Sequence, residues 1–397
     1  MKFDSLSVLA ISIGVLLFGM FLKKKINFLE KFCIPAPVVG GFLVSIIVWI
    51  LSFADIKITF DNTLQTPFMV VFFTVVGLSG SFKLLKVGGK ILLIYLACCW
   101  FMAIMQNFIG ISMMSIFDLN KLYGILCGAV ALEGGHANAI AFGKMVEELT
   151  GLNNAKVLAI AAATFGLISG SLLGGPVCRY LINKHKLEIK TNENIQDIDP
   201  LKHEIHIASY QDFLKSLFLI LCIMCVGFYL SAEFSKASGY SLPSYVGAML
   251  IAIIVRNIND NFEIFKLNQY TIDTISELSL GIFLTMAMMS LKINELSAVA
   301  TPLFITLFVQ VVILLLFAVF VVFRVCGKNY DSAIMCAGLM GHGLGATPNA
   351  VANMNAACNR YNLVSKQAFL IVPLCGAVLI DIVAIPFNTY LINLFAN

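Results

Sequence analysis

Ten apolar runs, each long enough to cross a bilayer, make up most of this chain. They cover Leu6 to Leu22 and then about 34–53, 67–82, 91–117, 155–182, 213–232, 243–259, 275–291, 301–325 and 366–395. A bilayer core takes about 20 apolar residues of helix. Inside it every backbone N–H and C=O must be bonded, which leaves helices or closed barrels. The runs are too long and continuous for barrel strands, so the fold class is an all-α polytopic membrane protein. The charge content agrees: 12% of residues are Asp, Glu, Lys or Arg, against about 25% in a soluble domain. That is too little to cover a water-facing surface, and it excludes a soluble enzyme, a nucleic-acid-binding protein and a disordered chain. The first run is followed, not preceded, by Lys23, Lys24 and Lys25 and ends in no small-residue cleavage site. It therefore reads as a retained span and not as a signal peptide. Most of the eleven cysteines lie inside the runs; Cys222-x-x-Cys225 has no partner pair and no nearby His, and reads as helix packing and not as a metal motif.

One long hydrophilic stretch, 183–210, divides the ten spans five and five. Two further segments, 122–146 and 330–354, are apolar at their ends but rich in Gly, Ala and polar residues at their centres. That is the composition of a broken, re-entrant hairpin, which membranes tolerate where it is buried in protein or lines a wet cavity. With both segments re-entrant and the N-terminus outside, the inner loops hold 19 of the 26 Lys and Arg; with both fully spanning, the split is 13 and 13. The positive-inside rule selects the first arrangement. Both termini are then outside and the 183–210 linker is cytoplasmic.

The halves repeat. Gly166-x9-Pro176-x3-Tyr180-Leu181-Ile182 recurs as Gly376-x9-Pro386-x3-Tyr390-Leu391-Ile392 at an offset of 210, and Gly135-His136 recurs as Gly341-His342 at an offset of 206. Gln106 and Gln310 precede the two hairpins at similar distances, and Pro35 and Pro243 each open the second span of their half. The domain reading is an N-terminal repeat, 1–182, the linker, and a C-terminal repeat, 211–397. An odd number of spans per half turns the second upside down, so the hairpins enter from opposite faces. Inverted repeats with discontinuous helices near the midplane are the signature of secondary transporters.

The hairpin tips are the first candidates for binding. Gly134, Gly135, His136 and Asn138 form one; Gly341, Gly343, Gly345, Thr347 and Asn349 form the other. Glycines let backbone N–H groups approach a ligand, and half-helix N-termini favour an anion. Pro348 suits the first turn of a new half-helix, with Thr347 as its N-cap. The bland alternative is that these glycines only let helices pack closely; their clustering, their polar neighbours and their appearance once per half favour a site. Asp381 lies deep in the last span, and an intramembrane acid is a functional hypothesis by default, with Na⁺ or H⁺ as its usual partner. No Lys or Arg lies at that depth, so Na⁺ is expected at Asp381, with Asn107 and Asn353 as candidate amide-oxygen ligands. Gln106, Asn107 and Gln310 serve equally well as interhelical hydrogen-bond formers. Glu277 and Glu295 sit near span ends, where solvation suffices.

In these motifs the chain resembles the bacterial glutamate:sodium symporter family. The matching stretches are IPAPVVGGFLVS (34–45), MQNFIGI (105–111), LEGGHANA (132–139), ATFGLISGSLLGGPVCRYL (163–181), GKNYDSA (327–333), GLGATPNAVANM (343–354) and FLIVPLCGAVLIDIV (369–383). The resemblance implies ten spans in two inverted five-span halves, two re-entrant loops from opposite faces, and Na⁺-coupled uptake of L-glutamate. It also implies a homodimer in the bacterial inner membrane, an elevator-like movement of a transport domain, and no cofactor beyond the coupling ion. The first tip departs from the family pattern, close to Gly-Gly-His-Gly-Thr-Gly: here Ala137, Asn138 and Ala139 follow His136, and Glu133 stands where a small hydroxyl residue is usual. A sodium-coupled carrier of another small carboxylate, such as a hydroxycarboxylate, is the alternative. An intramembrane aspartyl hydrolase needs a second acid to share a proton with Asp381, and no other span offers an Asp.

Overall fold

A computed structural model describes residues 2–31, 34–54, 56, 58–83, 89–188, 209–266, 268–291 and 300–396. Most of the hydrophilic linker and Glu295 lie outside the described residues. Each apolar run becomes a helix: α1 Ser5–Lys25, α2 Ala36–Ser52, α3 Gln65–Leu78, α4 Gly89–Ile116, then, past the first interrupted segment, α7 Ala155–His185, α8 Tyr210–Ser238, α9 Ser244–Phe262, α10 Gln269–Met289 and α11 Ala300–Phe317. A π-turn, Ala318–Val322, and a last α turn, Phe323–Val325, extend α11. The final run holds α14 Lys366–Leu374 and α15 Asp381–Ala396, joined through a π-turn at Cys375–Leu379.

Seven of these stretches are long and apolar enough to cross a membrane, while Ala36–Ser52 and Gln65–Leu78 are shorter apolar helices. Large apolar side chains face outward along them, Leu17, Phe21, Phe218 and Tyr229 among them, each more than half exposed. In water such a surface would be a liability; in lipid it is the solvent-facing surface. Cys222 and Cys225 lie on this outward side of α8, because the buried stripe of that helix runs through Ile220, Ile223, Met224 and Gly227. They do not pack within the chain as the sequence suggested. Among the described residues no cluster of His, Cys, Asp and Glu could hold a metal ion.

The two segments that resisted reading as spans are broken helices. In the first, α5 Lys121–Ile125 runs into a π-turn, Leu126–Val130, where Gly128 leaves the helical region (φ −91°, ψ −136°), and α6 Gly135–Thr150 follows a short break. In the second, α12 Tyr330–His342 and α13 Thr347–Tyr361 flank a break at 343–346.

Two compact units result, and each draws on both halves of the sequence. One comprises Met1–Ser81 and Ile205–Ser297; the other comprises Phe82–Glu204 and Ala298–Asn397. In the first unit α1 packs on α2, α8 on α9, α2 and α3 on α10, and α9 on α3. Pro35 and Pro243 occupy equivalent places there, each the N-cap residue of its helix, α2 or α9. Their fixed φ near −65° leaves α2 and α9 to start cleanly after an extended residue. A small parallel ribbon pairs Lys2–Phe3 with Thr59–Phe60. Near the other end Arg256 donates to Asp260 at 2.9 Å and to the Leu78 carbonyl at 3.3 Å, fastening α9 to the end of α3.

In the second unit α7 is the central strut. α6 packs against it, as do both α12 and α13. Small residues make this possible: a Cβ on Gly166 would sit 2.1 Å from the Leu344 carbonyl oxygen, and one on Gly170 would sit 2.6 Å from that of Met340.

Candidate functional site

The two broken helices lie along opposite stretches of α7. Tyr123 donates its hydroxyl to the Asn154 side chain, and the Lys156 N–H donates to Glu147 at 2.9 Å. Those contacts fix the outer ends of the first segment beside the start of α7. Its break faces residues 164–166: His136 Nε2 is 3.0 Å from Thr164 Oγ1, and Leu132 lies against Gly166. The second segment approaches from the other end. Asn353 Nδ2 donates to the Gly170 carbonyl at 2.9 Å, and Asn349 Nδ2 to that of Leu167 at 2.9 Å. The breaks therefore converge on Thr164–Leu167. Gly135, in the left-handed region at φ +60°, is so close to the Gly345 carbonyl that a Cβ would lie 3.0 Å from that oxygen.

This geometry brings the N-termini of α6 and α13 together, with the free N–H groups and partial positive charge of two first turns. Thr347 is the first residue of α13 and caps nothing. The N-cap is Ala346, in extended conformation, with no side-chain hydrogen bond, while Pro348 does sit in the first turn. Ala346, Thr347 and Pro348 remain accessible, as do Gly134, Ala137, Thr164 and Asp381. These residues are the open rim of the meeting point.

Behind the rim lies a set of oxygen acceptors with nothing to accept. Glu133 is 7% exposed, and neither of its carboxylate oxygens has a partner. Gln106 Oε1, Gln310 Oε1, Asn138 Oδ1 and Asn349 Oδ1 are buried and unpartnered as well. Their amide nitrogens are engaged: Gln106 donates to the Gly343 carbonyl at 2.8 Å, and Gln310 donates to that of Gln106 at 2.7 Å. Asn138 donates to the Asp381 carboxylate. Glu133 is close enough to Asp381 for their charges to repel. Unsatisfied buried oxygens cost free energy unless a donor or a cation completes them.

The remaining residues singled out from the sequence fall as follows. Gly341 lets α12 and α13 touch, since a Cβ there would meet the Ala350 backbone nitrogen at 2.4 Å; Gly343 fits against Leu314 and the Leu339 carbonyl. His342 points away from the break, its Nε2 2.8 Å from the Tyr95 hydroxyl. Asn107 donates to Asn388 Oδ1 at 2.6 Å and accepts from the Ala129 N–H at 3.2 Å. Asn353 bridges the Gly170 and Ala337 carbonyls. Asp381, Asn107 and Asn353 thus have separate partners. The sequence reading passed over Thr164 and gave Glu133 no role; the acid inside a Gly-rich break was the available signal.

Discontinuous helices that meet tip to tip in an all-α membrane protein are the architecture of secondary transporters. Residues 1–363 match the family model for the sodium/glutamate symporter, and the chain belongs to that family. It is 39% identical over 386 residues to the sodium/glutamate symporter of Haemophilus influenzae, covering 96% of this chain and 95% of that one. It is 37% identical over 398 residues to that of Escherichia coli, covering 99% and 97%. A sodium proton antiporter from Methanocaldococcus jannaschii aligns over 98% of each chain at 13% identity with a TM-score of 0.44, a likeness too low to carry an argument.

Proposed function

We infer that this protein couples the inward movement of Na⁺ to the uptake of L-glutamate. Its relatives are named as sodium/glutamate symporters over nearly their whole lengths. The observation that carries the reading in this chain is the contact of the two broken helices at Gly135 and Gly345 beside the Asp381 carboxylate. Anionic carboxylates of the substrate bind the first-turn N–H groups of α6 and α13. Na⁺, a hard cation, takes oxygens from the set formed by Asp381, Glu133 and Asn138.

The reading extends to a ten-span topology in two inverted repeats, with both breaks as tips of re-entrant hairpins. The packing supports it, because exchanging α1, α2 and α3 for α8, α9 and α10 reproduces the main neighbour pairs of the first unit: α1 on α2 for α8 on α9, α2 on α10 for α9 on α3, and α1 on α10 for α8 on α3. Most neighbour pairs of the second unit likewise recur when α4, the first broken helix and α7 exchange with α11, the second broken helix and α14–α15. The unit that contains the tips is the proposed moving body of an elevator, and the other unit is the scaffold, which pairs in a homodimer in the bacterial inner membrane. Both termini are placed outside. Uptake of labelled L-glutamate into proteoliposomes, with and without an inward Na⁺ gradient, tests the function. Accumulation with the gradient and none without it is expected; equal accumulation in both overturns the coupling, and Na⁺-driven accumulation of a hydroxycarboxylate in place of glutamate overturns the substrate.

A further inference from the structure

Away from the meeting point, a cavity of about 850 Å³ lies at the base of the second broken helix, between the later turns of α7 and the last turns of α13. It lies roughly 17 Å from Thr347, counted as the rise along α13 to residue 358. Its lining has two characters. The floor is apolar: Gly175, Pro176, Ala356 and Ala357. Gly175 has open space where a Cβ would be, and Leu172, one turn closer to the middle of α7, is 53% exposed. The rim carries Arg179, Lys184 and Arg360 with Tyr180 and Tyr361, and no acid.

Neither Arg179 nor Arg360 has an ion pair or hydrogen bond among the described residues. Lys184 bonds the Tyr180 hydroxyl at 2.7 Å, which orders it at the rim without neutralising it. Three cations with no acid in the lining repel one another unless an anion is shared among them. A small soluble anion would satisfy the rim but leave the floor bare. Leu172, Gly175, Pro176 and Arg179 follow one face of α7 at helical spacing, so apolar surface leads straight into the cationic rim. Tyr180 and Tyr361 are the residue type that sits at headgroup level.

We propose that this cavity binds an anionic phospholipid, its phosphodiester held by Arg179, Lys184 and Arg360 and an acyl chain laid over Leu172, Gly175 and Pro176. Basic pockets between spanning helices are the usual seat of such headgroups. The site is separate from the glutamate and Na⁺ positions and does not depend on them.

The test is thermal unfolding of the full purified chain in detergent, titrated with phosphatidylglycerol, phosphatidylcholine or glycerol 3-phosphate. A saturable rise in Tm with phosphatidylglycerol alone is expected. In the double variant R179Q/R360Q the apparent lipid affinity should fall about 30-fold, from two surface cations at the usual worth of each. In R179K/R360K it should largely persist. A double variant that keeps the wild-type Tm in detergent alone shows that the fold is intact; if it does not, the single variant K184Q carries the comparison, with a loss of about fivefold. Equal rises with phosphatidylcholine and phosphatidylglycerol, or an unchanged response in the charge-removing variants, overturn the proposal. An equal rise with glycerol 3-phosphate makes the cavity a site for a soluble anion and overturns the lipid assignment.

Discussion

Gly135→Ala tests the contact between the two breaks, and Gly151→Ala is its matched control. Both glycines have positive φ, +60° and +73°, where an L side chain costs about 1–2 kcal/mol. Around Gly151, the residue that closes α6, nothing lies within 4 Å of the built Cβ; at Gly135 the Gly345 carbonyl oxygen lies 3.0 Å away. That oxygen is backbone, anchored where α7 passes within 2.9 Å of the Gly345 Cβ position, so it cannot rotate aside. The control therefore carries the strain alone. Gly135→Ala carries the strain plus a forced separation of the breaks, worth about 1 kcal/mol or more as overpacking.

Thermal unfolding in detergent reads the first quantity, at about 2–4 °C per kcal/mol for a body of this size. Gly151→Ala should lose a few degrees, and Gly135→Ala should lose a few degrees more. Na⁺-driven glutamate uptake reads the second. It should be near wild type in Gly151→Ala and reduced several-fold in Gly135→Ala after correction for the amount of folded protein. Equal uptake and equal unfolding shifts in the two variants would show that the Gly135–Gly345 approach is incidental and would remove the argument for a site there.

Two further outcomes follow from the proposed site and topology. Asp381→Asn keeps the hydrogen-bonding shape but discards the charge, so the half-saturating Na⁺ concentration for uptake should rise at least tenfold while membrane insertion is unchanged; an unaltered Na⁺ dependence would make Asp381 structural. An Asn194→Cys thiol in the linker should resist an impermeant maleimide in intact cells and react once the membrane is opened, and ready labelling of intact cells would reverse the orientation.

Hydropathy located the helices because the bilayer imposes it residue by residue: every apolar run contains a helix whose ends lie within a few residues of the run. The breaks were legible because Gly134-Gly135 and Gly341–Gly345 cannot continue a lipid-facing helix cheaply. The grouping of α1–α3 with α8–α10 was not, because Leu, Ile and Val side chains on a span pack as readily against lipid as against another helix. Asn107 illustrates the same limit. Its sequence environment allowed an ion ligand or an interhelical bond, and only the placement of Asn388 opposite it, 281 residues away, decides for the bond. The neighbourhood of Glu133 and Asp381 could have been found by depth. On the re-entrant reading of the sequence, the tip of a half-membrane hairpin and the middle of the last span are expected at one depth, which would have put the two acids at one level.

That pair also bears on why transport should require the ion. A carboxylate at mid-membrane without a partner costs about 2.5–3.5 kcal/mol on insertion scales, and Glu133 and Asp381 add mutual repulsion to it. No described Lys or Arg pairs with either. Without a cation the pair also repels the carboxylates of an approaching dianion from the first turns of α6 and α13. In the proposed site a Na⁺ between them would remove both penalties together, so that the helix N-termini become attractive only in the ion-loaded state. By linkage the substrate then raises the affinity for Na⁺ by the same factor. On the proposed reading, coupling arises where two excess acids lie beside two helix N-termini, and Glu133→Gln should lower the Na⁺ requirement for substrate binding while weakening the gradient dependence of uptake. Tighter coupling in that variant would assign Glu133 to the packing of the tip alone.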